Sequence, residues 1–426
     1  MAGASGLSAA ASRGRWHSQV LSNGLRIFAL QDASINTATV YVTYFVGAVE
    51  DPHGLCGDAH LLEHMMFRGS PNVASGEFAF WIREVGGELQ GSTGLDRSVF
   101  YETIPSTDLE LALYLEADRM RSLQLSPGAF INERRVVVSE AEGRADSETE
   151  QIRNVAWAAL THTQQDTCPA VGLPVAIRRL TINDVRELYQ RYYCPRDAVV
   201  IIVGNAEPSR MIKLATKYFD GIPSSRECWR SKTHEAPTEK APNTPVIVIR
   251  SNGRSSGIYL CFNLGSPFTK RWYSMFLFGR LFGEGTDSFL HKLLVQGGNW
   301  AGPVQFSVEP REGGAIGSIF VGGVVSNQLD RLAERVVYAL RVAADTSIDE
   351  GSLKRMKRLT QAELTAEWIT SQGKANMLSQ AITLYRRDYR LDGAIKLLRE
   401  VTAADVKSTA KSMVAESPII ISEDSK

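Results

Sequence analysis

The sequence predicts an α+β protein of two tandem homologous domains, each a mainly antiparallel sheet packed with helices. Three observations carry that expectation. The chain has 426 residues, more than one hydrophobic core usually spans, and its 44% hydrophobic and 22% charged residues are ordinary globular proportions. Strand and helix patterns mix without regular βαβ alternation, which disfavours a doubly wound sheet. Similar segments recur far apart at a nearly constant offset, the mark of a duplicated unit.

Taken in order, "LSNGLRIFALQ" carries Asn23-Gly24, a dipeptide suited to the tight turn of a hairpin. "TATVYVTYFVGAVED" alternates β-branched and aromatic residues with polar ones and reads as a strand. Helical spacing marks "TDLELALYLEADRMRSL", from Thr107 to Leu123, and "INERRVVVSEAEGR". The first half closes with "LTINDVRELYQRYYCPRDAVVIIVGN", where Thr181 can cap a helix carrying Asp184 in its first turn and Val199 to Val203 form a buried strand.

The chain ends on the same plan, in "VTAADVKSTAKSMVAESPIIIS". Thr181 and Asp184 correspond to Thr402 and Asp405 at a separation of 221 residues, and "VYVTYFVG" corresponds to "GIYLCFNLG" at about 218. Between the halves lies "GIPSSRECWRSKTHEAPTEKAPNTP", polar, proline-rich and unable to build a core. The expected organisation is a first domain over residues 15–222, a linker over 223–244 and a second domain over 245–426.

Forty-seven basic and forty-seven acidic residues cancel, so no global field favours nucleic acid or anionic lipid as a partner. No apolar run reaches the roughly 18 to 20 residues needed for a membrane span, and "MAGASGLSAAASRGRW" lacks a compact hydrophobic core of signal-peptide type. The five cysteines, Cys56, Cys168, Cys194, Cys228 and Cys261, are scattered, odd in number and without a CxxC pair. That pattern argues against a disulfide framework or a cysteine zinc cluster and suits a reducing compartment such as the cytoplasm, with the bacterial periplasm left open.

The chemistry concentrates in "GDAHLLEHMMFRGS". On a helix His60 and His64 share a face, so both imidazoles can aim at one ion, and Glu63 sits beside that face. Taken alone, two histidines four residues apart also serve as caps or packing groups. A catalytic zinc site needs a third protein ligand and an open position for water. Glu133 and Glu140, seven residues apart on one helix face, supply candidates: one to reach the metal, the other to support it. His-x-x-Glu-His is the inverted zinc-protease motif.

With these residues the chain resembles the M16 metallopeptidases, the group of pitrilysin and mitochondrial processing peptidase, over most of its length. In that family the motif is followed about 76 residues later by a ligand glutamate, and Glu140 stands 76 residues after His64, within "ERRVVVSE". The resemblance implies His60, His64 and Glu140 as ligands of one Zn2+, Glu63 as catalytic base and Glu133 as supporting acid. The implied reaction is peptide hydrolysis. "EVGGELQGST" is similar to the family's Gly-Gly-x-x-Asn-Ala-x-Thr edge strand, which pairs with an extended substrate backbone. Gln90 and Gly91 stand where Asn-Ala is usual, which implies a lost or longer side-chain contact to the substrate carbonyl, and Phe67 is expected to line a pocket for a hydrophobic residue after the cut.

The second half departs from this pattern. At the offset of 221, Glu140 falls on Gln361 and Glu133 on Lys354, and no His-x-x-Glu-His occurs near residues 275 to 300. Active members usually carry an arginine and a tyrosine seven residues apart in this half; here Val295 and Gly302 stand at those positions, and Arg280 and Arg311 lie too far away to replace them. The resemblance therefore implies the zinc-bearing subunit of a heterodimer enclosing a chamber, with a homologous zinc-less partner supplying the arginine and tyrosine. A non-catalytic scaffold subunit and a zinc hydrolase of another substrate class remain as alternatives.

Overall fold

A computed structural model describes residues 16–52, 54–143, 146–161, 168–224, 247–251, 257–297, 302–322, 326–415 and 419–423. Most of the expected linker, Cys228 and the first 15 residues lie outside them. The chain forms two compact units: one of Met1–Ser147, Cys168–Thr233 and Ala366–Tyr389, the other of Glu148–Thr167, His234–Thr365 and Arg390–Lys426.

The first unit is built on a six-stranded sheet. Its strands are β1 (His17–Val20), β2 (Arg26–Gln31), β3 (Thr37–Tyr44), β4 (Glu88–Thr93), β5 (Ser98–Pro105) and β6 (Ala198–Gly204), in the order β1-β2-β6-β3-β5-β4. Only β2 and β6 pair in parallel; the other neighbours are antiparallel. Asn23 and Gly24 lie in the turn between β1 and β2, with Gly24 at φ +90°. All seven residues of β6 are buried, as a strand without a solvent face should be. Helix Ser371–Tyr385 joins this unit through hydroxyl contacts from Ser371 to Thr39, 2.7 Å, and from Ser379 to Thr43, 2.8 Å.

The second unit carries a five-stranded sheet of β7 (Ile247–Ser251), β8 (Gly257–Asn263), β9 (Val304–Arg311), β10 (Gly314–Gly322) and β11 (Ile419–Glu423), in the order β11-β7-β8-β10-β9. Again one pair, β11 with β7, is parallel. The repeat is visible in its helix caps. Thr181 caps Ile182–Tyr192 and Thr402 caps Ala403–Val414, each in a capping box closed by the aspartate three residues on. The two sheets differ in strand number, six against five, and in order: β6 inserts between β2 and β3, whereas β11 lies at the sheet edge beside β7.

The cysteines depart from the sequence expectation. Cys56 and Cys168 form a disulfide with Cα atoms 5.4 Å apart, Cys194 is also disulfide-bonded, and Cys261 is buried and not part of a disulfide. Cys56 and Cys168 are 112 residues apart in sequence, so their pairing is set by tertiary packing that spacing does not encode. Among the described residues, no helix is long and apolar enough to cross a membrane.

Candidate metal centre

The motif helix runs from Asp58 to Met65. Gly57 precedes it at φ +110°, a left-handed conformation that side chains rarely adopt. Its first turn is capped from outside, because the Asp51 carboxylate accepts the backbone N–H groups of Gly57 at 2.5 Å and Ala59 at 2.8 Å. Burial pushes the Asp51 carboxyl up to about 7 while those N–H groups pull it back down. Asp58 is pushed up to about 8, by burial first and the neighbouring Asp51 second. Leu61, Leu62 and Met65 are wholly buried and fix the helix against the core, leaving the face of His60 and His64 toward helix Pro127–Gly143.

The two imidazoles stand nearly perpendicular, with ring centroids 5.0 Å apart. His60 Nε2 lies 3.5 Å, and His64 Nε2 3.8 Å, from the same oxygen, Oε2 of Glu140. Behind each ring the other nitrogen is engaged. His60 Nδ1 is 3.1 Å from the Val171 carbonyl oxygen and His64 Nδ1 is 3.1 Å from Glu133 Oε2. Both acceptors select the tautomer with Nδ1 protonated, so each Nε2 offers its lone pair to the common point. Among the described residues, His60, His64 and Glu140 form a set whose donor atoms all lie within 4.8 Å of one another. Two neutral imidazoles and one carboxylate are a donor set suited to zinc, and Glu140, 38% exposed, leaves one side open.

Glu133 is buried and faces His64 on one side and Arg68 Nε, 2.7 Å away, on the other. Glu63 is also buried, and its Oε2 accepts the Thr93 hydroxyl at 3.0 Å. Burial raises the Glu63 carboxyl above its ordinary range, against the opposing pull of the neighbouring His64 imidazole and the Thr93 hydrogen bond.

Strand β4 forms the edge of its sheet. Alternation puts Leu89, Gly91 and Thr93 on its less exposed face, and Glu88, Gln90 and Ser92 on the other. A Cβ at Gly91 would stand 2.5 Å from Glu63 Oε1 and 3.0 Å from Phe67 Cε2, so this glycine is the point where the edge strand and the motif helix come closest. The Gln90 carbonyl accepts the Tyr101 hydroxyl at 2.6 Å, which fixes the amide's orientation. Phe67 is half-buried and packs against Phe78 and Phe100, with all three rings around the buried guanidinium of Arg119 at 4.8, 4.3 and 4.5 Å. Phe67 is therefore anchored by a cation as well as by apolar contacts.

His60, Glu63, His64, Phe67, Gly91, Glu133 and Glu140 thus fall in one unit, around one point, whereas Gln90 lies on the other face of β4 from Gly91. Sequence reasoning missed Thr93, Arg68, Arg119 and the Val171 carbonyl. Thr93 had a usable signal, since it shares the inner face of β4 with Gly91; a main-chain carbonyl carries none. In the other unit, Gln361 accepts hydrogen bonds from Arg399 at 3.1 and 3.2 Å, and Arg280 is held by Glu284 and Glu363.

Two family models match the chain in succession: "Insulinase (Peptidase family M16)" over residues 26–169 and "Peptidase M16 inactive domain" over residues 179–360. The chain belongs to the M16 peptidase family. Its fold is the two-domain α+β architecture of that family, and several of its relatives are named zinc proteases. It is 24% identical over 417 residues to the zinc protease PqqE of Helicobacter pylori, covering 94% of this chain and 92% of that protein. A crystal structure of a protease from Helicobacter pylori matches with a TM-score of 0.78 at 22% identity, over 93% of this chain and 96% of the other. The periplasmic protease PqqL from Escherichia coli matches with a TM-score of 0.68 at 16% identity, over 94% of this chain and 46% of that one. The M16 domain that contains His60, His64 and Glu140 is the one matched by the insulinase model.

Proposed function

We propose that the chain is a zinc endopeptidase that cleaves extended, unfolded peptides, and that it is the zinc-bearing subunit of a heterodimer. The observation that carries the reading is the convergence of His60 Nε2, His64 Nε2 and Glu140 Oε2 beside the buried Glu63 carboxylate and the edge strand β4. These three residues would hold the ion, which when bound polarises the scissile carbonyl and acidifies a water molecule.

The protein's own groups divide the remaining work. Glu63 Oε2 is occupied by the Thr93 hydroxyl, so Oε1 is the atom that takes the proton from the attacking water and returns it to the leaving amine. Burial of Glu63 raises its proton affinity toward that of a useful base. The free edge of β4 would bind the substrate backbone as an added strand, which selects extended chains over folded ones. The Gln90 amide nitrogen, left over once its oxygen accepts Tyr101, is available as a donor to a substrate carbonyl. Phe67 would form the wall of a pocket for an apolar residue after the cut.

A zinc-less partner enters because Val295 and Gly302 occupy the positions where an arginine and a tyrosine would hold the substrate. The alternative of a non-catalytic scaffold is disfavoured by retention of all five residues, His60, Glu63, His64, Glu133 and Glu140. An oxidising compartment, such as the periplasm from which PqqL is described, is favoured over the cytoplasm by the Cys56–Cys168 disulfide.

The test is hydrolysis of a quenched, unstructured peptide by the zinc-loaded chain, alone and co-expressed with a zinc-less homologue. Cleavage that rises strongly in the pair, disappears with a chelator and returns with zinc is the expected result. Zinc-loaded protein that cleaves in neither form contradicts the reading.

A further inference from the structure

We infer that the Cys56–Cys168 disulfide, with the Cys168–Leu173 turn it anchors, is a positioning device for His60 rather than a general staple. The inference rests on the assignment of His60 as a metal ligand. Cys56 lies one residue before Gly57, the N-cap of the motif helix, and Cys168 lies three residues before Val171, whose carbonyl oxygen backs His60 Nδ1. One covalent bond therefore ties together the helix that carries the ligand and the main chain that orients it.

The turn is built for close approach on the same side. Gly172 N donates to the Pro169 carbonyl at 2.8 Å and Leu173 N to the Cys56 carbonyl at 3.4 Å. Gly172 has φ +82°, and a Cβ there would stand 2.5 Å from Gly57 Cα. A Cβ at Gly57 would stand 2.6 Å from Ile177 Cγ1. Two glycines thus let the turn sit directly on the N-terminus of the motif helix. Cys56 and Cys168 are buried with Ala176 and packed by Leu173 in a small apolar cluster of their own, apart from the main core.

The two ligating histidines consequently differ in how they are held. His64 is oriented by the carboxylate of Glu133, a side chain on the packed helix Pro127–Gly143. His60 is oriented by a carbonyl whose place depends on a short turn, and the disulfide is that turn's covalent tie to the motif helix. Moving the turn would free the His60 ring and its tautomer, and loss of such a hydrogen bond behind a ligand typically weakens metal binding about 10- to 100-fold.

The experiment measures zinc affinity, by competition with a chromogenic chelator well below the melting temperature, for the full chain and two variants. Cys56→Ser/Cys168→Ser removes both sulfurs, so breaking the bond exposes no new thiolate to compete for zinc. Gly172→Ala keeps the disulfide and displaces the turn from Gly57. Both are expected to bind zinc about tenfold or more weakly while keeping native circular dichroism. A double variant that melts earlier yet binds zinc within about twofold of the parent would show a purely structural bond and overturn the inference. If the double variant does not fold, Gly172→Ala decides, and unchanged affinity there overturns it equally. Failure of the parent chain itself to bind zinc would overturn the ligand assignment and this inference together, and is seen before any variant is compared.

Discussion

Thr93 on the edge strand donates its hydroxyl to Glu63 on the motif helix at 3.0 Å, joining the strand proposed to bind substrate to the residue proposed to move the proton. A threonine-to-valine change keeps the shape and removes the donor. A hydrogen bond to a charged group contributes about 1.5–3 kcal/mol, so Thr93→Val is expected to lower kcat by about tenfold or more. Zinc content, measured by atomic absorption, should stay at the parent level. Loss of zinc instead would place Thr93 in the metal site's support.

At Gly91 the expectation is that adding even a methyl group does harm. The added Cβ would stand 2.5 Å from Glu63 Oε1, inside any tolerable contact. Gly91→Ala should lower kcat about 10- to 100-fold, the scale expected when a reacting group is displaced by about an ångström. An unaltered kcat for this variant would show that Glu63 works from a position away from β4.

Glu133 orients His64 through Nδ1 and pairs with Arg68. Glu133→Gln keeps the size and an acceptor oxygen but removes the charge. It is expected to weaken zinc binding about tenfold or more, read by chelator competition, with a smaller loss of activity at saturating zinc.

Asp405 gives the clearest dependence of stability on pH. Lys270 and the Thr402 cap hold its carboxyl down at about 2, below the unfolded value of about 3.9. A depressed folded value means the stabilisation is complete above the unfolded value and is lost as pH falls through the folded one. Asp405→Asn should therefore lower stability at pH 7 by about 1 kcal/mol, the scale of one exposed ion pair and cap. The gap between variant and parent should narrow as pH falls from about 5 to about 2, measured by urea denaturation.

Much of this was legible because it is local. Thr181 and Thr402 announce their helices through capping boxes four residues long, and β4 announces its two faces through alternation from Glu88 to Thr93. The histidines and acids of the motif are spaced by helix geometry alone. What stayed hidden is set by packing between distant segments. Cys56 and Cys168 are separated by 112 residues, and nothing in their spacing marks them as partners. Arg119 lies three residues after Glu116, a spacing that says nothing of burial, and it is buried between Glu102, Glu116 and three aromatic rings. The Val171 carbonyl is invisible to any reading of side chains.

In the proposed reaction Glu63 moves the proton while three other residues hold the metal. Glu63→Gln is isosteric, keeps the Thr93 contact and cannot serve as a base. Measured together, zinc content and quenched-peptide cleavage should show one zinc per chain retained and kcat reduced by more than about 100-fold. Cleavage at the parent rate with zinc in place would contradict the central claim.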